Sequence, residues 1–505
     1  MKEYTISSLK GKLILFVTIL ASGMAFLDGS VVNIAMPTIQ TQMHATLTDI
    51  QWVVNAYVLM LCALILISGA LGDRFGRKKV FLYGIIVFVF ASFLCSISQS
   101  IVQLAIFRGL QGVGGALMVP GSLSIINTSF SESIRGRVIG LWSGFAGGIA
   151  ALGPFVGGWL VQSYGWPFIF YINIPIGLIA LLIALTHVPE SHNKEATKLD
   201  RAGAVFIFLS LVGITYGLIS ISNLGWQNPL IAVSLLGGIV SFILFYITER
   251  RVKEPLVPFT IFTSSLVTGA NIATFFLYFA LSGVIFFLVL NFQQIQHYSP
   301  ILAGLGLMPT ILLITFLSGV GGTIADKLGP RIPMIVGPLL VALGMTFFIF
   351  SGRNANYVLQ YLPGLILFGL GMSFVIAPLT KSALAVDEKY AGAASGVNNA
   401  IARIAGLLAV AVLGLIVLSL FEGHLRKDIA ASSMNITEKQ QIIAQESKLG
   451  GITIPKSFTP QSFVIAKRSI EEAFIFGFRW AMSITAFLAL VSSAVAFFTI
   501  RNNKP

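Results

Sequence analysis

Residues 69–79 read GALGDRFGRKK, a basic, glycine-rich stretch between two apolar runs. A related stretch, GTIADKLGPR, covers residues 322–331 and also lies between apolar runs. Five positions match at a constant offset of 253 residues: Gly69 with Gly322, Asp73 with Asp326, Arg74 with Lys327, Gly76 with Gly329 and Lys78 with Arg331. Because the matches stay in register, the sequence predicts a chain built from two related halves.

The composition is that of a polytopic membrane protein. Of the 505 residues 56% are hydrophobic and only 10% are charged, where ordinary globular chains have about 25% charged residues. The mean hydropathy is +0.89. A net charge of +13 could indicate nucleic-acid binding, but most positive residues lie in short connectors between apolar runs, which excludes that reading. Cys62 and Cys95 both lie inside apolar runs, so neither a disulfide framework nor a metal cluster is predicted.

Fourteen apolar stretches are long enough to cross a bilayer as helices. They are continuously apolar rather than alternating, which favours helices over a β-barrel. The predicted spans are roughly 12–32, 51–71, 79–98, 101–123, 138–162, 167–186, 203–222, 229–248, 267–290, 301–324, 332–352, 358–379, 397–420 and 475–499.

Lysine and arginine placement predicts that both ends of the chain are cytoplasmic. Segments on the N-terminal side of the membrane hold 21 of the 32 positive residues, whereas the short loops opposite hold only Arg353. Positive loops stay in the cytoplasm, and an even number of spans returns the chain to the same side. The first apolar run contains Asp28 and is too long for a signal peptide, so we expect a retained span in the plasma (bacterial inner) membrane.

The repeat also predicts the domain organisation. The basic stretch follows span 2 and its copy follows span 10, so two extra spans must separate two six-span halves. The expected division is an N-terminal half at 1–190, a linker with two spans at 191–258, and a C-terminal half at 259–505. Residues 421–473 form one long outer segment, for which the sequence predicts partial helix and no function.

Four motifs resemble those of the major facilitator superfamily, specifically its fourteen-span drug:proton antiporter branch. The motifs are GALGDRFGRKK, LDGSVVNIAMP at 27–37, RGLQGVGGALMVP at 108–120 and GPFVGG at 153–158. Gly29-Ser30 departs from the branch's usual pairing of a variable residue with Thr. The resemblance implies an all-α fold of two six-helix halves with two helices between them, and proton-driven export of hydrophobic or amphipathic drugs by alternating access.

Asp28 and Arg108 are the first candidates for the site. Asp28 is the only carboxylate deep within any predicted span, and intramembrane acids usually serve transport. With helices rising 1.5 Å per residue, Asp28 and Arg108 both lie about 10–12 Å below the outer surface. The resemblance brings their helices to the same cavity, so we expect them to couple. Gln111 shares the Arg108 helix face. A static buried ion pair remains the alternative.

The other candidates fall into three groups. Asn33, Gln51, Asn55, Asn399 and Arg403 are polar residues within spans and are candidates for proton or substrate binding. Gly153, Pro154, Gly157 and Gly158 predict a bent, closely packed helix that, in the antiporter reading, seals the cavity against leak. The duplicated loop provides a candidate gate; its members are Gly69, Asp73, Arg74, Gly76, Arg77, Asp326 and Gly329. The resemblance implies that Asp73 latches against the start of span 13, near 392–399. Pro330 replaces Arg77 in the copy, which predicts unequal latches.

The sequence favours no enzyme, cofactor or metal. The five histidines are scattered without zinc-ligand spacing, and no GxxxxGK[ST] phosphate loop occurs. The predicted partners are a drug-like small molecule, protons and membrane lipid, with the protein as a monomer. A periplasmic adaptor stays open for a host with an outer membrane. A proton-coupled symporter importing a nutrient, and a channel or sensor, remain the alternative functions.

Overall fold

The computed structural model describes residues 4–192, 200–252, 255–387 and 390–500. Fourteen helices in these ranges are long and apolar enough to cross a membrane, which confirms the predicted fold class. Each predicted span coincides with one of them. Lys194, Lys198, Lys253 and Lys389, used in the topology prediction, lie outside the described residues, as do Lys2, Arg501, Lys504 and part of the predicted domain boundary near 191.

The first six spans are formed by eight helices, since two spans are interrupted. Their bounds are α1 Leu9–Gln42, α2 Leu47–Phe75, α3 Arg77–Ser96, α4 Ile101–Ser129, α5 Glu132–Ala151, α6 Gly153–Tyr164, α7 Phe168–Tyr171 and α8 Asn173–His187. Span 5 is α5 with α6, and span 6 is α7 with α8.

The remaining spans begin with the two extra helices, α9 Arg201–Leu224 and α10 Pro229–Glu249. The C-terminal spans are α11 Ser265–Leu290, α12 Pro300–Leu328, α13 Arg331–Ile349, α14 Leu362–Ala383, α15 Ala391–Ala431 and α17 Pro460–Thr499. Short π-helical turns extend α11 to Ile295 and start the α14 span at Tyr357. Between α15 and α17 lie α16 (Ile436–Ile443) and a 3₁₀ helix at Glu446–Gly451.

Three helices run well past their predicted ends. α1 ends at Gln42 rather than near 32, α15 continues to Ala431, and α17 begins at Pro460 rather than near 475. An apolar window measures only the part of a helix that lies in hydrocarbon, whereas the backbone continues wherever other helices cover it. Buried residues such as Ala466 and Ile470 show that the α17 extension packs against protein.

The two halves repeat the same helix pairings. α1 packs against α4, α5 and α8, while α11 packs against α14, α15 and α17; likewise α4 contacts α2 and α3, as α14 contacts α12 and α13. Gly76 (φ 109°) and Gly329 (φ 81°) end α2 and α12 with the positive φ that glycine favours. The matched glycines of the duplicated stretch therefore make the same break in each half.

Two interfaces join the halves, one between α2 and α15 and one between α6 and α12. α9 packs on both α2 and α15, so the extra helices lie along the first interface. We call the side where α1 begins and α17 ends the terminal face. Toward that face, a side chain at Gly140 or Gly144 of α5, Gly319 of α12 or Gly392 of α15 would meet nothing within 4 Å.

Candidate functional site

Asp28 and Arg108 form a fully buried ion pair inside the N-terminal half. Arg108 Nη1 donates to Asp28 Oδ2, and the two side chains are 1% and 0% exposed. The predicted coupling between α1 and α4 is therefore present in the structure. Neither group reaches the surface of the bundle, so substrate cannot touch Asp28 in this conformation.

Arg108 has further partners besides Asp28. Its Nη1 donates to Gln111 Oε1 at 2.6 Å, and its Nε donates to the Val53 carbonyl at 3.2 Å. The guanidinium lies 4.3 Å from the centre of the Tyr57 ring and 5.7 Å from that of Phe170. Such cation–π contacts contribute more when they are removed from water. Arg108 is thus held as a fixed cation facing Asp28.

Two amides complete the network around the acid. Gln111 Nε2 donates to Asp28 Oδ1 at 2.8 Å and to Ser92 Oγ at 2.9 Å. Asn173 Nδ2 donates to Asp28 Oδ1 at 3.0 Å. Sequence reasoning missed Asn173 and Ser92; the available signal was that Asn173 is an amide at the start of an otherwise apolar helix. α1, α3, α4 and α8 together enclose one carboxylate with three donors.

An open space lies between the halves beside this network. Gly29 follows Asp28 on α1, which contacts helices of both halves, and a side chain at Gly29 would meet nothing within 4 Å. Phe26 and Asn33 share this partly exposed face of α1, and Asn33 Nδ2 donates only to its own helix, at the Gly29 carbonyl. We call this space the central cavity.

Arg403 and Asn399 reach the same space from α15. The Arg403 guanidinium lies 5.6 Å from the centre of the Phe26 ring, across the gap between the halves. Asn399, one turn earlier, is exposed and donates to the Ser395 carbonyl of its own helix. Arg403 and Asn399 thus share one face of α15, and a role for them in substrate or proton binding stays a prediction.

Gln51 and Asn55 lie in the interface between the halves rather than in the cavity. Gln51 Nε2 donates to the Val410 carbonyl of α15 at 2.5 Å, which ties α2 to the other half. Asn55 is 0% exposed, and neither of its side-chain polar atoms has a hydrogen-bond partner within the described part of the chain. Both amides are covered in this conformation, so they do not contact substrate here.

The glycine-proline motif forms the other interface. Span 5 breaks at Leu152, between α5 and α6, as the proline predicts. Pro154 has no N–H for the Ala150 carbonyl, which instead accepts from Ser30 Oγ at 3.1 Å. The Ser30 hydroxyl also approaches the Leu27 carbonyl of its own helix, at 2.8 Å, so its single proton is shared between α1 and the break in span 5.

The glycines of this motif let α6 approach both neighbouring helices closely. A Cβ at Gly157 would lie 3.1 Å from Val31 Cα, and one at Gly158 would lie 2.6 Å from the Pro300 carbonyl oxygen of α12. Gly153 leaves no room for a side chain beside Ser30. The seam between α6 and α12 therefore depends on glycine on the α6 side.

The outer segment adds a third set of contacts far from the terminal face. Gln40 Nε2 donates to the Lys448 carbonyl at 3.0 Å, and Gln294 Nε2 donates to Gln40 Oε1 at 2.8 Å. Gln293 Nε2 donates to the Ile34 carbonyl at 2.8 Å. The 3₁₀ helix at Glu446–Gly451 thus lies over the junction between the halves and closes that side.

The duplicated loop contacts only its own half in this conformation. Asp73 accepts from Arg77 Nε at 2.8 Å, whereas Asp326 pairs with Lys381 of α14 at 2.5 Å. Asp73 is paired with Arg77 of its own loop in this conformation, so its contact with the start of span 13 stays a prediction. The two copies of the loop form different ion pairs, because Pro330 occupies the position in the second copy that Arg77 occupies in the first. Gly69 lies in open space, and Arg74 stacks on Phe75.

Within the described ranges, no group of three or more His, Cys, Asp or Glu side chains could hold a metal ion. The described geometry is thus one buried carboxylate paired with Arg108, beside a space between two halves. That arrangement fits movement of a solute and a proton through the bundle.

Comparison with known proteins gives the same family throughout the chain. The model of the Major Facilitator Superfamily matches residues 18–207 and 201–410. The tetracenomycin C resistance and export protein of Streptomyces glaucescens is 30% identical over 480 residues, covering 94% of this chain and 89% of that protein. The puromycin resistance protein of Streptomyces alboniger is 35% identical, covering 79% and 80%.

A relative from Bacillus subtilis, a methylenomycin A resistance protein, is 33% identical and covers 81% of this chain and 88% of that protein. Among solved structures, a bacterial homologue of the lysosomal transporter Spinster in an inward-facing conformation superposes with a TM-score of 0.68 and 17% identity, covering 98% of this chain and 97% of that one. The chain belongs to the Major Facilitator Superfamily, in its branch of drug resistance and efflux transporters.

Proposed function

We propose that the chain is a proton-coupled antiporter that exports hydrophobic or amphipathic compounds across the plasma membrane, with both termini cytoplasmic. The carrying observation is the buried Asp28 network on α1, whose neighbouring Phe26 faces Arg403 of the other half. In this proposal the space between the halves opens toward the terminal face, which is cytoplasmic with the termini inside, so that the conformation is inward-open. The relatives named for drug resistance and export support the direction of transport.

The proposed moving parts are the halves 1–190 and 259–505, joined by the linker and its two extra spans at 191–258. The protein acts as a monomer in contact with lipid. The closed side, formed by the α6–α12 seam and the Glu446–Gly451 segment, faces outward. A periplasmic adaptor in a host with an outer membrane would bind at that side.

Asp28 is the proposed proton carrier. In the inward-open state Arg108, Gln111 and Asn173 all donate to its carboxylate, so the network is complete with Asp28 ionised. A proton on Asp28 would displace one of these donors, and α1, α4 and α8 would have to shift. α1 also borders the central cavity and the seam between α6 and α12. Protonation of Asp28 from outside would therefore change the arrangement of both. Arginine cannot release its own proton, so Arg108 positions the acid.

Coupled transport is tested with purified protein in proteoliposomes. Addition of a drug to the wild type should release protons, and Asp28→Asn should abolish this release. Glu472→Gln is the matched control, since it removes a partly exposed carboxylate of the α17 extension that has no proposed role in transport. Normal drug-dependent proton release by Asp28→Asn would contradict the assignment and favour the static ion pair.

The direction of coupling is tested in the same vesicles. An imposed proton gradient, acid on the side of the outer segment, should drive drug toward that side. Drug movement in the same direction as the protons would instead indicate a symporter, and flux that never runs uphill would indicate a channel.

A further inference from the structure

The central cavity has an unbalanced positive charge. Asp28 neutralises Arg108 within the N-terminal half, and both are removed from the cavity surface. Arg403 is partly exposed on α15, and it has no carboxylate within 4.0 Å among the residues that the structure describes. A cation at membrane depth is costly, so such a residue generally has a partner or a function.

The surroundings of Arg403 account for only part of its interactions. The Phe26 ring, whose centre lies 5.6 Å from the guanidinium carbon, offers a π face but no negative charge. The planar guanidinium fork binds a carboxylate through two parallel hydrogen bonds.

We propose that Arg403 binds the acidic group of an amphipathic monoanionic substrate, such as a carboxylate or an ionised phenol. The apolar body of that substrate would lie against Phe26 and Tyr278, and Asn399, one turn before Arg403, would add a polar contact. This inference rests on the proposed export function and specifies its substrate class.

The proposal has a consequence for energetics. Exchange of one entering proton for one leaving neutral molecule moves one positive charge inward per cycle. Exchange of one proton for one leaving monoanion moves two charges inward. Export of the acid therefore depends twice as steeply on membrane potential as export of a neutral analogue with the same proton count.

A matched pair of fluorescent probes tests the recognition. Dansyl-leucine carries a free carboxylate, and dansyl-leucine amide has almost the same size without the charge. Binding of each to the purified transporter is followed by dansyl fluorescence, and proton-driven transport of each is measured in proteoliposomes. The wild type should bind the acid at least tenfold more tightly than the amide.

Three variants separate charge, geometry and folding. Arg403→Gln should bring the acid-to-amide ratio close to one while binding of the amide is unchanged. Arg403→Lys keeps the charge but loses the fork, and should give an intermediate ratio. Arg353→Gln, which removes a partly exposed arginine far from the cavity, should leave the ratio at its wild-type value.

The possible outcomes assign failure to one hypothesis or the other. Equal binding of the two probes by the wild type, or a ratio unaffected by Arg403→Gln, overturns the anion site. An equal loss of both probes in Arg403→Gln also overturns it and indicates a structural role. Proton-driven export of the amide reports on the proposed function alone, because that probe lacks the acidic group.

Discussion

The Asp28–Arg108 pair should respond very differently to removal of its two members. In Asp28→Asn, the single remaining acceptor oxygen can face either Arg108 or the two amides, but not both. Oδ1 now accepts from Gln111 and Asn173, and Oδ2 accepts from Arg108. An amide nitrogen at either position would point at a donor. Arg108 then remains charged and buried without a counterion.

Removal of one partner from a buried ion pair lowers the free energy of unfolding by about 3–5 kcal/mol. In Asp28→Asn, Arg108 still donates to Gln111 Oε1 at 2.6 Å and to the Val53 carbonyl at 3.2 Å. The cost of about 3–5 kcal/mol already allows for these remaining hydrogen bonds. Arg108→Gln should cost less, about 1–3 kcal/mol, because an unpaired Asp28 keeps two donors and can take up a proton. Asp28→Asn/Arg108→Gln should recover about 1–3 kcal/mol relative to the sum of the single changes.

Thermal unfolding in detergent measures these differences. Cys62 and Cys95 are 2% and 0% exposed, so a thiol-reactive fluorogenic dye reports their exposure on unfolding without added cysteines. The wild type should have the highest melting temperature, Arg108→Gln a lower one and Asp28→Asn the lowest. The double variant should melt at a higher temperature than Asp28→Asn. An exposed-pair control, Asp326→Asn, should cost about 0–1 kcal/mol. The reasoning is refuted if Arg108→Gln is the more damaging change, or if the two changes are additive.

Three further predictions concern contacts at the closed side. Gly158→Leu should hold that side open, because Cβ alone would lie 2.6 Å from the Pro300 carbonyl oxygen; cysteine labelling at the seam would increase, and unchanged labelling would contradict this. Gln40→Ala removes two hydrogen bonds between the halves, each of about 0.5–1.5 kcal/mol. Spin-label distances should then show a gain in the outward-open population on the order of tenfold. An unchanged population would mean that other contacts replace these two hydrogen bonds. Ser30→Ala removes the hydroxyl proton that the Leu27 and Ala150 carbonyls share and should lower stability by about 0.5–1.5 kcal/mol in the same melting assay, whereas an unchanged melt would mean that water replaces Ser30.

Several parts of the site could be read from the chain. Asp28 and Arg108 stand out because charges within apolar spans are rare, and their depths follow from helix rise. Pro154 predicted the break in span 5 because its missing N–H is a local property. Asn173 could not be linked to Asp28, since 145 residues separate them and nothing local relates the two positions.

Four polar residues within the spans show what the sequence alone does not predict. Gln51, Asn55, Asn399 and Arg403 look alike in sequence, as polar residues within apolar spans. In the structure the first two are covered at the α2–α15 interface and the last two border the cavity. The face that a helix presents to a neighbouring helix depends on its packing against helices that are far away in sequence.

The sequence by itself determined the fourteen spans, their order and the duplication, because hydrocarbon imposes one requirement on every crossing segment: apolar side chains on a self-satisfied helical backbone. The tertiary structure alone decided the conformational state, the enclosure of Asp28 by three donors and the lone charge of Arg403 in the cavity. The first and the last depend on how the two halves meet, and the enclosure of Asp28 depends on how α1, α4 and α8 pack within one half. That arrangement is set by small differences among many contacts between distant residues, so no single stretch of the chain encodes it.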